Sequence, residues 1–358
     1  MGRTVIPFGP QHPVLPEPIH LTLTLEDDII VEALPRLGYI HRGLELLARK
    51  RTPDQMVQVV ERVCGICSMM HGMCFCQALE DIHGITPPPR AQWLRVFWAE
   101  VHRLHSHLLW LGLFADALGF ENLFMQFWRV RERIMDIQEA TSGNRVVVSV
   151  SVIGGVRRDL NPDQMLWCRT ELAGVRDEVH RLGKAMLGDY SIAKRTKGIG
   201  VLTPERAHAL GTVGPTLRGS GVAHDIRMLD QEIYGAMEFK PCVENDGDSW
   251  ARLTVRIRET EQSVDLALGT LDRLPQGEIA VKPKGQAEGE AVRRVEQPRG
   301  EALYFVKADG GKLLDRVRIR TPTFANIPAL LDLLPGHSLA DAPVLVMTID
   351  PCISCTER

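Results

Sequence analysis

Residues 89–120 read Pro-Arg-Ala-Gln-Trp-Leu-Arg-Val-Phe-Trp-Ala-Glu-Val-His-Arg-Leu-His-Ser-His-Leu-Leu-Trp-Leu-Gly-Leu-Phe-Ala-Asp-Ala-Leu-Gly-Phe. The prolines at 87–89 open the run, and beyond them its apolar residues fall on most faces of a helix, which predicts a long helix at the centre of the fold. Glu100, Arg103, Asp116 and the histidines at 102, 105 and 107 interrupt it, so it is a buried helix and not a membrane span. Working outward, Leu123 to Ala140 reads as a second long helix, and Pro162 to Leu187 as a third with Glu171, Arg176, Asp177 and Arg181 on its wet side. Ser249 to Leu274 is a further long amphipathic helix. Shorter helical patterns cover Leu44–Ala48, Pro53–Val63, Ser68–Ile82, Glu205–Val213 and Asn326–Leu334.

The two ends of the chain carry a different period. Residues 19–34 alternate around Asp27-Asp28 and predict a β-hairpin. Ala302–Val306 and Leu313–Ile319 predict a second hairpin, within residues 302–320, about Asp309-Gly310-Gly311. Gln276 to Gly300 has no apolar period and reads as a partly exposed loop, and Val344–Ile349 as a short apolar segment. The expected fold class is therefore α+β: a mainly helical long-helix core over residues 44–274, with small antiparallel β elements from the N- and C-terminal segments. With no repeat or linker, the whole of 1–358 is expected to form one domain.

The balance of the 358 residues, 44% hydrophobic and 24% charged, excludes a disordered or low-complexity chain. A net charge of −3 and 6% aromatic residues supply neither the basic field nor the stacking platform of a nucleic-acid binder. The start of the chain lacks the features of a signal peptide, and the final Cys355-Thr356-Glu357-Arg358 is a prenylation box by position only.

The eight cysteines carry the chemistry. Without a secretory signal, metal or redox use is expected in place of disulfides. Chance would give roughly 0.2 C-x-x-C pairs in a chain of this cysteine content; there are two, Cys64/Cys67 and Cys352/Cys355. Four such thiolates could hold zinc, an iron–sulfur cluster, or nickel with iron. Zinc ribbons keep their pairs close in sequence, whereas here almost the entire chain lies between them. Cys74 and Cys76 fall on different helix faces and are expected to be core residues, as are Cys168 and Cys242. His12 and the histidines at 102, 105 and 107 read as structural or interface residues.

The stretches Arg62-Val63-Cys64-Gly65-Ile66-Cys67 with His71, and Asp350-Pro351-Cys352-Ile353-Ser354-Cys355, closely resemble the signatures of nickel-iron hydrogenase large subunits. Other stretches resemble the quinone-site subunit of respiratory complex I: Gly9-Pro10-Gln11-His12-Pro13, His41-Arg42-Gly43-Leu44-Glu45, Ser106 to Gly112, and Gly214-Pro215-Thr216-Leu217-Arg218. Hydrogenase cysteines on a complex-I-like chain resemble the membrane-bound, energy-converting hydrogenases, the Ech and CO-induced types among them. The resemblance runs from Gly9 to Arg358.

That resemblance implies a Ni–Fe centre whose iron carries CO and cyanide. Cys64 and Cys352 would be terminal nickel ligands, and Cys67 and Cys355 would bridge to iron. His71, one helical turn after Cys67, would donate a hydrogen bond to that bridging sulfur. Glu17, in Leu15-Pro16-Glu17-Pro18, matches the family's proton-relay glutamate, and Cys352 is the thiolate expected to hand it the proton. Arg299, in Pro298-Arg299-Gly300, matches an arginine that overhangs the nickel, held in place by Asp350. Pro322-Thr323 resembles the pair lining the cyanide pocket, with the Thr323 hydroxyl as donor. Glu45 matches the glutamate of an additional magnesium or iron site near the C-terminus. That site usually includes a terminal histidine where this chain has Arg358, and Glu45 could equally pair with Arg42 or another base. Ending at Arg358, the chain is expected to be a mature form or a type without a cleaved extension.

The implied function is reversible formation and cleavage of H2 by the catalytic subunit of an energy-converting hydrogenase. No cysteine set remains for an electron-transfer cluster, so an iron–sulfur small subunit is the expected electron partner, with ferredoxin reached through other subunits. Integral-membrane ion-translocating subunits would hold the chain peripherally at the cytoplasmic face of the membrane. The alternative is a metal-free complex-I-like quinone or coupling subunit, which the four cysteines oppose. A zinc-tethered assembly protein would account for the cysteines but not for Glu17, His71 and Arg299 together.

Overall fold

A computed structural model describes residues 2–230 and 232–358. The chain opens with a three-stranded antiparallel sheet, β1 (Arg3–Phe8), β2 (His20–Glu26) and β3 (Ile29–Arg36). After a 3-10 turn at Leu46–Arg49 come α1 (Pro53–Glu61), α2 (Ser68–His83), α3 (Pro89–Ala117) and α4 (Glu121–Ser142). A small ribbon, β4 (Ser151–Val152) and β5 (Gly155–Val156), leads into α5 (Pro162–Gly188), α6 (Tyr190–Thr196), α7 (Pro204–Ala209), α8 (Gly214–Arg218) and α9 (Ser249–Arg273). A second three-stranded antiparallel sheet, β6 (Glu288–Gln297), β7 (Gly300–Asp309) and β8 (Leu314–Arg320), precedes α10 (Pro322–Leu333), α11 (Ala342–Thr348) and α12 (Ile353–Glu357). The mainly helical α+β class read from the periodicity is the one observed.

Local chemistry sets the helix starts. Thr52 and Gln55 form a reciprocal capping box ahead of Pro53, and Asn161 and Gln164 form another ahead of Pro162. Asp248 caps α9 by accepting the N–H of Ala251. The long helix α3 is central, packed between α4 and α9, with Phe97, Trp98 and Trp110 fully buried. Its buried charged residues do not disturb this position because they meet partners, and Asp116 near its end is exposed. Arg95 forks onto Glu80 at 2.6 and 3.0 Å, and Trp98 donates to the Thr141 hydroxyl at 3.0 Å.

One sequence expectation is corrected, and two elements that the sequence left unassigned are defined. The segment expected to be a loop, Gln276 to Gly300, contains the ten-residue strand β6, paired along its length with β7. β6 is an edge strand whose outer part, Glu288 to Arg294, is mostly exposed and charged, so pairing and not apolar alternation makes it a strand. β1 went unread for the same reason: most of its residues are exposed and it is held by β2. Val344–Thr348 lies in a helix, α11, a type the sequence did not reveal because a short buried apolar run has no diagnostic period. The remaining shifts are small, with the Leu44–Ala48 pattern forming only the 3-10 turn.

Helices and sheets converge at one place. Cys67 stands immediately before α2 and Cys352 immediately before α12. The start of β7 approaches from a third side, where Gly214 and Gly300 meet backbone to backbone. Gly214 (φ +71°) and Gly300 (φ +127°) leave no room for a Cβ, which on Gly300 would stand 2.7 Å from the Gly214 nitrogen. Among the described residues no helix is long and apolar enough to cross a membrane.

Candidate metal centre

The four thiols of the two C-x-x-C pairs, from opposite ends of the chain, meet in the interior. Cys64 Sγ lies 3.2 Å from Cys352 Sγ, and Cys67 Sγ lies 3.3 Å from Cys355 Sγ. The sulfurs of Cys64, Cys67 and Cys355 all lie within 4.8 Å of one another. All four residues are buried and unbridged. Hydrogen bonds from Cys352, Cys355 and Cys67 hold the Cys64 thiol well below the usual thiol range. Away from the centre burial dominates, pushing Cys168 up to about 12 and Cys242 up to about 11, and Cys74 and Cys76 higher still. Those four are inert thiols packed in the core, as expected.

Charged and polar side chains surround the sulfurs. Glu17, half-buried, presents Oε1 at 3.8 Å from Cys352 Sγ. Its Oε2 accepts the N–H groups of Ile353 and Ser354, the latter at 2.8 Å, and the Ser354 hydroxyl donates to Oε1 at 3.1 Å. Burial, reinforced by the charge of Cys64, raises its pKa. Arg299 is buried on another side, with Nη2 at 2.7 Å from Asp350 Oδ1, Nε donating to the Asp350 carbonyl at 2.8 Å, and Nη1 donating to the Ser106 hydroxyl at 3.2 Å. Asp350 itself sits at φ 54°, a left-handed turn that brings its carbonyl and carboxylate to the same guanidinium. The Thr323 hydroxyl accepts the N–H of Cys352 at 3.0 Å, and Pro322 begins α10 beside it.

Comparison with known proteins bears on what such a centre is. The family described as "Nickel-dependent hydrogenase" matches residues 42–116, and the family described as "Respiratory-chain NADH dehydrogenase, 49 Kd subunit" matches residues 117–286 and 282–358. The chain is 38% identical to the carbon monoxide-induced hydrogenase of Rhodospirillum rubrum over 100% of both chains. It belongs to the family of membrane-bound nickel-iron hydrogenase large subunits, related to the 49 kDa subunit of complex I. Identity is also 38% with the membrane-bound hydrogenase subunit alpha of Pyrococcus furiosus, covering 99% of this chain and 87% of that one. A chain in a solved structure of the membrane-bound sulfane sulfur reductase, an archaeal respiratory membrane complex, superposes with a TM-score of 0.94. That chain is 31% identical, with 99% of this chain and 98% of that one covered.

In this hydrogenase large subunit the four cysteines fit a Ni–Fe site, and the side chains expected around them assemble, with differences of detail. His71 contacts the sulfur of Cys355 (Nε2 to Sγ 3.4 Å) and not that of Cys67, because an α2 side chain points back toward the helix start, where α12 brings Cys355. The Thr323 oxygen accepts a backbone N–H of Cys352, a bond that does not use the hydroxyl hydrogen. Glu45 does not pair with Arg42, whose guanidinium donates to the carbonyls of Arg62, Val63 and Ser354. Instead Arg318 reaches Glu45 Oε2 at 2.8 Å, while Arg358 (3.1 Å) and the Ile319 N–H (2.9 Å) reach Oε1. Two guanidiniums already neutralise this carboxylate, so its surroundings do not fit an additional magnesium or iron ion. The histidines of α3 are structural: His102 is bonded to Gln138, His105 to Arg131 and His107 to Glu259, and burial pushes His102 down to about 4.

Four residues at the centre were not anticipated. Ser106 and Ser354 lie inside quoted motifs, but nothing in a serine reveals that it bonds Arg299 or Glu17. Tyr304, an inward residue of the predicted strand, bonds His71 Nδ1 at 2.6 Å. Glu357 ties the N-terminal segment to the C-terminus by accepting the N–H groups of Gly38 and Ile40, both at 2.6 Å.

Proposed function

We propose that this chain is the catalytic subunit in which H2 is formed and cleaved reversibly. Its electrons would pass to an iron–sulfur partner subunit and through it to ferredoxin. The complex would be held at the cytoplasmic face of the membrane by integral-membrane ion-translocating subunits. The observation that carries the reading is the meeting of four buried thiols with a carboxyl on one side and a fixed guanidinium on another. A donor set of four soft sulfurs, with no carboxylate or imidazole among them, fits redox-active nickel with iron and not a hard cation. Cys64 and Cys352 would hold nickel alone, and Cys67 and Cys355 would hold nickel and iron together, the iron also carrying CO and cyanide. When bound, such a centre supplies soft, redox-active metals at which H2 divides into unequally charged parts.

The remaining work falls to the protein. A proton held at Cys352 Sγ has the carboxylate oxygen of Glu17 as its outlet at 3.8 Å. Burial raises the affinity of Glu17 for that proton, and the three hydrogen bonds from Ile353 and Ser354 keep the carboxylate aimed at the sulfur. Glu17 also borders a surface hollow lined by residues 10–13 and 15–18, through which the proton can leave. Arg299, fixed by Asp350, places positive charge beside the thiolates and offsets their negative charge. Thr323 holds the backbone at Cys352, and His71 holds the Cys355 sulfur. The membrane assembly is supported by the names of the relatives, a membrane-bound hydrogenase and a respiratory membrane complex.

Metal analysis of the purified complex, with an infrared spectrum, tests the reading. Stoichiometric nickel and iron with the bands of iron-bound CO and cyanide are expected. Zinc in the thiol site would make it a structural tether. A metal-free chain would turn the assignment to a complex-I-like quinone or coupling subunit.

A further inference from the structure

Tyr304 belongs to none of the motifs that point to the metal centre. It lies on β7, fully buried, with its ring edge-on to Phe75 and to His71 at centroid distances of 6.3 and 5.8 Å. Its hydroxyl is 2.6 Å from His71 Nδ1, and His71 Nε2 is 3.4 Å from Cys355 Sγ. Among the described residues the hydroxyl has no other partner. Phenol, imidazole and sulfur therefore stand in one line, in a region closed to solvent.

Counting hydrogens decides how that line is polarised. An imidazole with one N–H donates from one ring nitrogen and accepts at the other. If Nδ1 carried the hydrogen, the phenol oxygen would accept it, and the phenol's own hydrogen would be buried without an acceptor. The bare Nε2 would then face the lone pairs of a thiolate. If the phenol donates to Nδ1, then Nε2 carries the hydrogen, points it at Cys355, and every group is satisfied. Burial raises the Tyr304 phenol well above its usual range, so it keeps its hydrogen.

We infer that Tyr304 is a positioning residue that fixes the tautomer of His71, so that His71 Nε2–H donates to the Cys355 thiolate. The inference rests on Cys355 being a metal-bound thiolate, as proposed above. A hydrogen bond to a ligating sulfur withdraws electron density from it, so Tyr304, acting through His71, favours the reduced state of the centre.

The full chain loaded with zinc, a diamagnetic ion that keeps all four sulfurs as thiolates, and labelled with 15N at histidine tests this. His71, assigned by its loss in His71→Gln, should show the Nε2–H tautomer, and Tyr304→Phe should convert it wholly or partly to Nδ1–H. In the nickel-loaded complex, Tyr304→Phe should retain nickel and iron while the midpoint potential of the centre falls. An Nδ1–H tautomer in the unsubstituted protein, or an unchanged tautomer in a folded Tyr304→Phe protein, overturns the proposal. Should Tyr304→Phe fail to fold, the tautomer of the unsubstituted protein decides alone. A chain that binds neither zinc nor nickel overturns the thiolate site and the proposal with it, whereas a wrong tautomer with metal bound overturns the proposal only.

Discussion

Glu17 and Cys352 lie at opposite ends of the sequence, yet the carboxylate Oε1 stands 3.8 Å from the sulfur, and the same carboxylate takes the N–H groups of the two residues that follow that cysteine. The N-terminal loop is thereby fastened to the turn that presents Cys352, and a group able to carry a proton is fixed against a thiol that would release one.

Glu17→Gln keeps the shape and most of the hydrogen bonds but cannot cycle a proton. Nickel and iron content should stay normal while turnover and proton–deuterium exchange fall on the order of a hundredfold or more. Loss of metal in this variant would make Glu17 structural, and unchanged exchange with intact metal would send the proton by another route.

Replacing any one of Cys64, Cys67, Cys352 or Cys355 by serine should abolish hydrogen activity and lower the nickel content. The remaining cysteines stand in separate core positions with thiols held protonated by burial, so none can substitute. Cys168→Ser is the control, and its nickel content should match that of the unsubstituted chain.

Glu61 is a buried carboxyl with no cation bonded to it among the described residues. Ser149 donates to its Oε2 at 2.5 Å, and its Oε1 lies so close to α2 that a Cβ on Gly72 would stand 2.5 Å away. Burial pushes it up to about 7 from the usual 4.5, against the weaker opposition of the Ser149 hydrogen bond and the charges of Arg62 and Arg157. Below pH 4.5 the folded and unfolded chains both carry this proton and the site costs nothing. Between pH 4.5 and 7 the unfolded chain ionises first, so stability falls as pH rises, by on the order of 3 kcal/mol once both states have lost the proton. The gap in unfolding free energy between Glu61→Gln and the unsubstituted protein should shift in favour of Glu61→Gln by that amount across this window. Denaturant titrations at a series of pH values would measure it, and a gap that ignores pH would show that Glu61 ionises as easily folded as unfolded.

Gly300→Ala should destabilise the chain by about 1–3 kcal/mol, since it forces a residue with a Cβ into the left-handed region and against the Gly214 nitrogen. Arg299 precedes it, so activity should fall further than the melting temperature alone explains. A variant with normal turnover would mean that this backbone contact does not place Arg299.

Much of this protein is determined by its sequence alone, where the governing forces are local. Apolar periodicity and start signals such as Thr52-Pro53 and Asn161-Pro162 depend on residues within a turn or two, so the long helices and both hairpins can be read directly. The two C-x-x-C pairs announce a soft-metal site because thiolates at that spacing have few other uses. Tertiary structure alone decided the rest. β6 exists because β7 pairs with it, not because of its own pattern. The partner of His71 is Cys355 because α12, packed on α10, carries that sulfur to the imidazole, and the partners of Glu45 are Arg318 and Arg358 because β8 and the C-terminus meet there. Tyr304, Ser106 and Ser354 join the centre through contacts that span much of the chain. A hydrogen bond between side chains so far apart leaves no spacing to read, because its geometry is set only when packing brings the elements together.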